Sequence, residues 1–251
     1  MVEAEGFSIK SVPWTWHSLC VRYSSPVFRY IFYSLTIMAQ TLALAASLLA
    51  ASVSAQQMGQ YTPEVHPLLP SQRCTLAGGC KAVNTSVVLD SQYRWTHNVG
   101  GYTNCKSGTF NTTFCPDAES CSKNCALEGA DYASYGVKVN GDAVTLNLFV
   151  DKGTGPQMSS PRVYLLDEGS KQYSMFSLLN QEISFDVDTS KVPCGVNGAL
   201  YLSAMEANGG QSDINVAGSN YGTGYCDAQC PVNDFINGVV SIALVLAISH
   251  Y

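Results

Sequence analysis

Charge is scarce in this chain. Asp, Glu, Lys and Arg make up 13% of 251 residues, and acids outnumber bases 19 to 13. The net charge of -6 and a pI near 5.1 argue against nucleic acid, which calls for a basic face. Histidine is scarcer still, at four residues. The pairs Cys121-Ser122-Lys123-Asn124-Cys125 and Cys226 to Cys230 invite comparison with zinc sites. Neither has a second cysteine pair or histidines at ligand spacing, so no metal and no cofactor are expected. From Gln56 onward there is no linker, repeat or low-complexity tract, which leaves one domain.

Cysteine, by contrast, is plentiful. Ten cysteines at close spacings favour an oxidising compartment. The sequons at Asn84 and Asn111 fit a secreted glycoprotein. Gly (21) and Tyr (14) are abundant, together with Ser, Thr and Asn, a mix suited to β-rich secreted proteins. Residues 38–55 read as a signal peptide: an Ala/Leu core followed by the small-x-small end Val53-Ser54-Ala55. Residues 1–37 have no usable period and read as a spurious extension, with Met38 as the true start. A signal-anchor is the alternative, because residues 31–55 are mostly apolar and follow Arg22 and Arg29.

Period-two patterns dominate the remainder. Val144, Leu146, Leu148 and Val150 alternate with Thr145, Asn147 and Phe149, Phe185 and Val187 with Asp186 and Asp188, and Leu200, Leu202 and Ala204 with Tyr201, Ser203 and Met205. Turn clusters such as Asn140-Gly141-Asp142 and Asn208-Gly209-Gly210 separate them, which predicts an antiparallel sandwich or jelly roll. Only residues 115–130 suggest a helix. The most informative block is residues 221–231. Read as a strand, it turns Tyr225, Asp227 and Gln229 to one face and Cys226 and Cys230 to the other. A ring, a carboxylate and an amide in one row suit a polyhydroxylated ligand. The two cysteines lie about 13 Å apart on such a strand, beyond the ~7 Å reach of a disulfide, so each needs another partner.

Several blocks taken together resemble the amino-terminal half of fungal glycoside hydrolase family 7. They are Thr62-Pro63-Glu64-Val65-His66-Pro67, Val87-Val88-Leu89-Asp90, Tyr93-Arg94-Trp95, Cys121-Ser122-Lys123-Asn124-Cys125, Ser184-Phe185-Asp186-Val187-Asp188, Pro193-Cys194-Gly195 and residues 221–231. The resemblance covers residues 56–238 and implies an all-β, concanavalin-like jelly-roll sandwich that is truncated. It implies secreted cellulases that cleave β-1,4-glucan with retention, acting as monomers. Tyr93, the segment 160–167 and Cys226-Asp227-Ala228-Gln229-Cys230-Pro231-Val232 resemble the endoglucanase branch more than the cellobiohydrolases. By the same resemblance Tyr93 and Trp95 are stacking platforms sharing one strand face, and Arg162, Asn197, Tyr201, Tyr225, Asp227 and Gln229 line the glucan cleft. Asp227 would help to hold the catalytic carboxylate in place. Disulfides are implied for Cys74–Cys80, Cys105–Cys125 and Cys115–Cys121, with Cys194, Cys226 and Cys230 left over.

Retaining hydrolysis needs two carboxyl groups about 5–5.5 Å apart. The family supplies them on a Glu-x-Asp-x-x-Glu strand downstream of the Cys-Pro block, and that motif does not occur in this sequence. Glu182, Asp186 and Asp188 have the wrong spacing, Asp167 and Glu168 face apart, and Glu119 and Glu128 lie in the cysteine-rich segment. Residues 239–251 read as a non-homologous apolar tail, too short to span a bilayer. The chain as written is therefore expected to be inactive and poorly folded. The competing expectations are a non-catalytic, lectin-like glucan-binding module and a cysteine-rich wall protein.

Overall fold

The computed structural model describes residues 57–169, 171–225 and 242–250. Residues 1–37, the segment 38–55, Cys226, Asp227, Gln229 and Cys230 lie outside them. Among the described residues, strands predominate and a single α-helix, Ala118–Asn124, interrupts them, in keeping with the expected all-β class. Asp117 caps that helix by accepting from the Ser120 N–H.

The largest sheet is five-stranded. Its order is Met175–Phe176, Ile242–His250, Arg162–Leu166 and Ser86–Leu89, with Val196–Ala204 paired along the other edge of Ile242–His250. All its pairings are antiparallel. Ser86–Leu89 is buried at every position, as expected for a β-branched run covered on both faces. Register splits the core. Val87, Leu89, Val163 and Leu165 fill one side of the sheet, while Val88, Tyr164, Leu166 and Val245 pack on the other. Across that second face runs the row Val88, Tyr164, Val245, Tyr201.

A three-stranded sheet of Gln57–Met58, Cys125–Leu127 and Thr96–Asn98 lies separately. Two carboxylates attach the segment around residues 59–66 to the rest of the domain. Glu64 accepts from Arg94, from the Tyr132 hydroxyl (2.6 Å) and from the Ala130 N–H (2.9 Å). Glu128 accepts from the Tyr61 and Thr62 N–H groups and meets His97 Nε2 at 2.8 Å. The disulfides Cys74–Cys80, Cys105–Cys125 and Cys115–Cys121 are all formed, and Cys194 is free and exposed.

Three local expectations are corrected. Phe185 and Val187 lie in a segment without regular structure and are 52% and 62% exposed, so their alternation marks no strand. Val196–Ala204 is a strand, but Leu202 faces outward at 37% exposure while Tyr201, Ser203 and Met205 face the core. Hydrophobicity alone picked the wrong side, because the sheet gives its inner face to Tyr164 and Tyr173 and draws tyrosine there too. Residues 221–225 are not extended. Gly218–Tyr221 forms a 3-10 turn, and Gly222 and Gly224 take left-handed conformations with φ of 71° and 84°.

Candidate glucan groove

The groove grows from the second face of the large sheet. Arg162 opens its strand next to Asp90, which follows the Ser86–Leu89 strand. The Asp90 N–H donates to the Arg162 carbonyl at 3.0 Å, which locks their backbones together. Asp90 Oδ2 then accepts from Arg162 Nε (2.9 Å), from Arg162 Nη2 (2.6 Å) and from the Tyr164 hydroxyl. Its other oxygen caps the 3-10 turn Ser91–Tyr93 through the Gln92 N–H. Burial works against the Arg162 charge, and Asp90 and Tyr164 outweigh it, so the guanidinium is held firmly protonated.

This guanidinium lies over the Tyr225 ring, with its Cζ 3.9 Å from the centroid. The Tyr225 and Tyr201 hydroxyls are 2.8 Å apart, and the Tyr225 ring lies 5.7 Å from that of Tyr164. Gly222 brings Tyr225 to this place: its carbonyl accepts from the Ser91 N–H at 3.0 Å, and its α-carbon packs against Leu89 and Asp90 so closely that a side chain has no room. The result is a partly open cation, two phenols and an aromatic face. Such a surface can stack on a pyranose ring while hydrogen bonding its hydroxyl rim.

Of the expected site residues, Arg162, Tyr201 and Tyr225 come together. Asn197 shares the Tyr201 face four positions along the same strand. Tyr93 and Trp95 do not share a strand. Tyr93 ends the 3-10 turn and packs against the Val87–Leu89 side of the core, while Trp95 precedes Thr96–Asn98 and joins Tyr61, His97 and Tyr102. Asp90 and Tyr164 were missed as site residues. The signal available was the buried strand ending on a charge, Val87-Val88-Leu89-Asp90, since a buried carboxylate needs a cation.

Neither Glu64 nor Glu128 suits a catalytic acid, which requires a raised pKa. Burial pushes Glu64 up, but His66, Arg94 and Tyr132 outweigh it and bring it down to about 2. Burial also raises Glu128, and His97 with the Thr62 and Tyr61 N–H groups holds it below the usual range. The first described strand after the Cys-Pro block is Ile242–His250, between Arg162–Leu166 and Val196–Ala204. Its sequence contains no carboxylate, and Val245 stands between Tyr164 and Tyr201. The segment read as a tail is thus a central strand.

The cysteine cluster formed by Cys105, Cys115 and Cys125 has metal-like spacing, but all three sulfurs are engaged in disulfides. Among the described residues no helix is long and apolar enough to cross a membrane.

Comparison with known proteins agrees with this geometry. The family model of glycosyl hydrolase family 7 matches residues 58–247, running past Gly238 into the central strand. A probable endo-beta-1,4-glucanase celB from Aspergillus clavatus is 51% identical over 208 residues, 82% of this chain and 50% of its own length. Endoglucanase EG-1 of Hypocrea jecorina is 52% identical over 205 residues, covering 80% of this chain and 44% of that protein. The native endocellulase EGI structure from Humicola insolens superposes with a TM-score of 0.63 at 45% identity, over 69% of this chain and 44% of that one. The chain therefore spans about half the length of the curated relatives it matches. The fold it shares with these structures is the expected β-sandwich jelly roll, and the chain belongs to glycosyl hydrolase family 7.

Proposed function

We propose that this chain carries the amino-terminal part of a retaining endo-β-1,4-glucanase acting on cellulose, and that residues 1–251 alone bind β-1,4-glucan without cleaving it. The observation behind this is the Arg162–Asp90–Tyr225–Tyr201 cluster, a stacking surface with fixed donors beside a strand that offers no acid pair. Relatives named endoglucanases support endo action over the cellobiohydrolase alternative. A related endoglucanase I structure holds cellobiose, which supports a glucan ligand.

In this reading the protein is secreted through the signal peptide at 38–55, acts as a monomer, needs no cofactor and is glycosylated at Asn84 and Asn111. Exposed Asn84 is consistent with that modification. Asp227 and Gln229, which the resemblance assigns to the glucan cleft, lie outside the described residues. The test is to incubate the purified chain with carboxymethyl cellulose and, in parallel, with crystalline cellulose. Retention on the solid without release of reducing ends is expected. Release of reducing ends would overturn the non-cleaving reading, and absence of retention would overturn the glucan-binding one.

A further inference from the structure

The hairpin of Ser71–Thr75 and Gly79–Val83 adds nothing to the core. Residues 72–82 are exposed throughout, and Leu76 at the tip is fully uncovered. The hairpin is nonetheless fixed. The Cys74–Cys80 disulfide joins directly opposed residues, and Thr75 Oγ accepts from the Gly78 N–H in the turn at 2.9 Å. At the base, the Leu69 N–H donates to the Thr85 carbonyl and the Thr85 hydroxyl returns a bond to the Leu69 carbonyl.

Register sets Arg73 directly opposite Lys81. Alternation puts Ser71, Arg73, Thr75 and Lys81 on one face and the disulfide on the other. Like charges so placed weaken a strand pair. Among the described residues neither cation has an ion pair or a hydrogen bond, and Glu168, which reaches the base of the hairpin, is taken by Asn84 at 3.2 Å. A lysine on an exposed strand often serves only to keep its edge from pairing. One cation suffices for that, and here two oppose each other. Segment 71–83 contains no acid; of the chain's 13 bases, these two leave eleven to set against 19 acids, so the remainder carries a charge of -8.

We propose that this face docks a uronate polysaccharide, a sugar polymer bearing carboxylates, through residues that the glucan groove does not use. The face has no aromatic or large aliphatic anchor of the kind that carries a protein–protein interface; its one aliphatic residue, Val83, is half-buried. Two cations are too few to hold nucleic acid against a remainder of negative charge. A uronate ring offers its carboxylate to the Arg73 fork and to Lys81, and its hydroxyls to Ser71 and Thr75.

The purified chain is passed at about 10 mM salt, where screening is weak, over immobilised polygalacturonate, its methyl ester, polyglutamate and cellulose. Retention on polygalacturonate is expected, falling as salt rises, with none on the uncharged ester. Arg73→Gln/Lys81→Gln should weaken it about two- to tenfold, the range of two exposed charge contacts, and leave cellulose retention unchanged. Its thermal midpoint should not fall, because the change relieves the opposed charges. Lys138→Gln/Lys191→Gln removes the same net charge from exposed positions elsewhere and should leave polygalacturonate retention unaltered. Equal weakening by both double variants, or none by Arg73→Gln/Lys81→Gln, overturns the site. Equal retention on the ester or on polyglutamate overturns the uronate assignment, the second in favour of an acidic protein. Loss of cellulose retention alone overturns only the glucan reading.

Discussion

Asp90 carries its carboxylate into the interior at 3% exposure, and it is tolerated there because each oxygen has partners: Arg162 and Tyr164 on one, the Gln92 N–H on the other. That arrangement aims the guanidinium at Tyr225. Arg162→Ala should weaken cello-oligosaccharide binding by roughly tenfold or more, the scale of a hydrogen bond from a charged group. Asp90→Asn keeps the cap acceptor but loses the charge, so it should lower affinity several-fold while circular dichroism stays unchanged. Calorimetric titration of both variants checks this, and undiminished binding in Asp90→Asn would remove its positioning role.

Glu64 gives the pH dependence at the same scale. Its folded pKa of about 2 lies below the ordinary value of 4.5. The stabilisation it supplies is therefore complete above about pH 4.5 and is lost as pH falls toward 2, on the order of 3 kcal/mol in all. Urea midpoints measured down that range should fall for the parent and fall less steeply for Glu64→Gln, which starts from a lower value at pH 7.

At the scale of elements, turns decide where the groove residues stand. Gly222 has a φ of 71°, and a β-carbon added there would stand only 2.2 Å from the Leu89 carbonyl oxygen. Gly222→Ala should therefore lower stability by at least ~2 kcal/mol and reduce glucan affinity by displacing Tyr225. A thermal melt and a titration on the same sample test both parts. The elements also show what pattern can reveal. The alternation over Val144 and Leu146 was legible because a two-residue Gly141-Asp142 turn sets the register of Val137–Asn140 against Ala143–Leu146. The alternation at Leu200 and Leu202 identified the strand but assigned its faces wrongly, since burial there follows what the neighbouring strands contribute.

Across the whole molecule, apolar side chains remain uncovered: Phe149 at 53%, Met158 at 49%, Phe185 at 52% and Leu179 at 84% exposure. Strong enhancement of anilinonaphthalene sulfonate fluorescence is expected at neutral pH; a signal no greater than that of a compact globular control would show these groups to be covered in solution.

Residue order was enough for the all-β class and the three disulfide pairs, because each depends on residue type at short range or on a block resemblance. Three features emerged only on folding: Asp90 and Tyr164 brace Arg162, Trp95 joins Tyr61 and Tyr102 instead of Tyr93, and an apolar segment becomes the central strand. These are contacts between residues far apart along the chain, set by register and by where each backbone turns, and no local pattern encodes them.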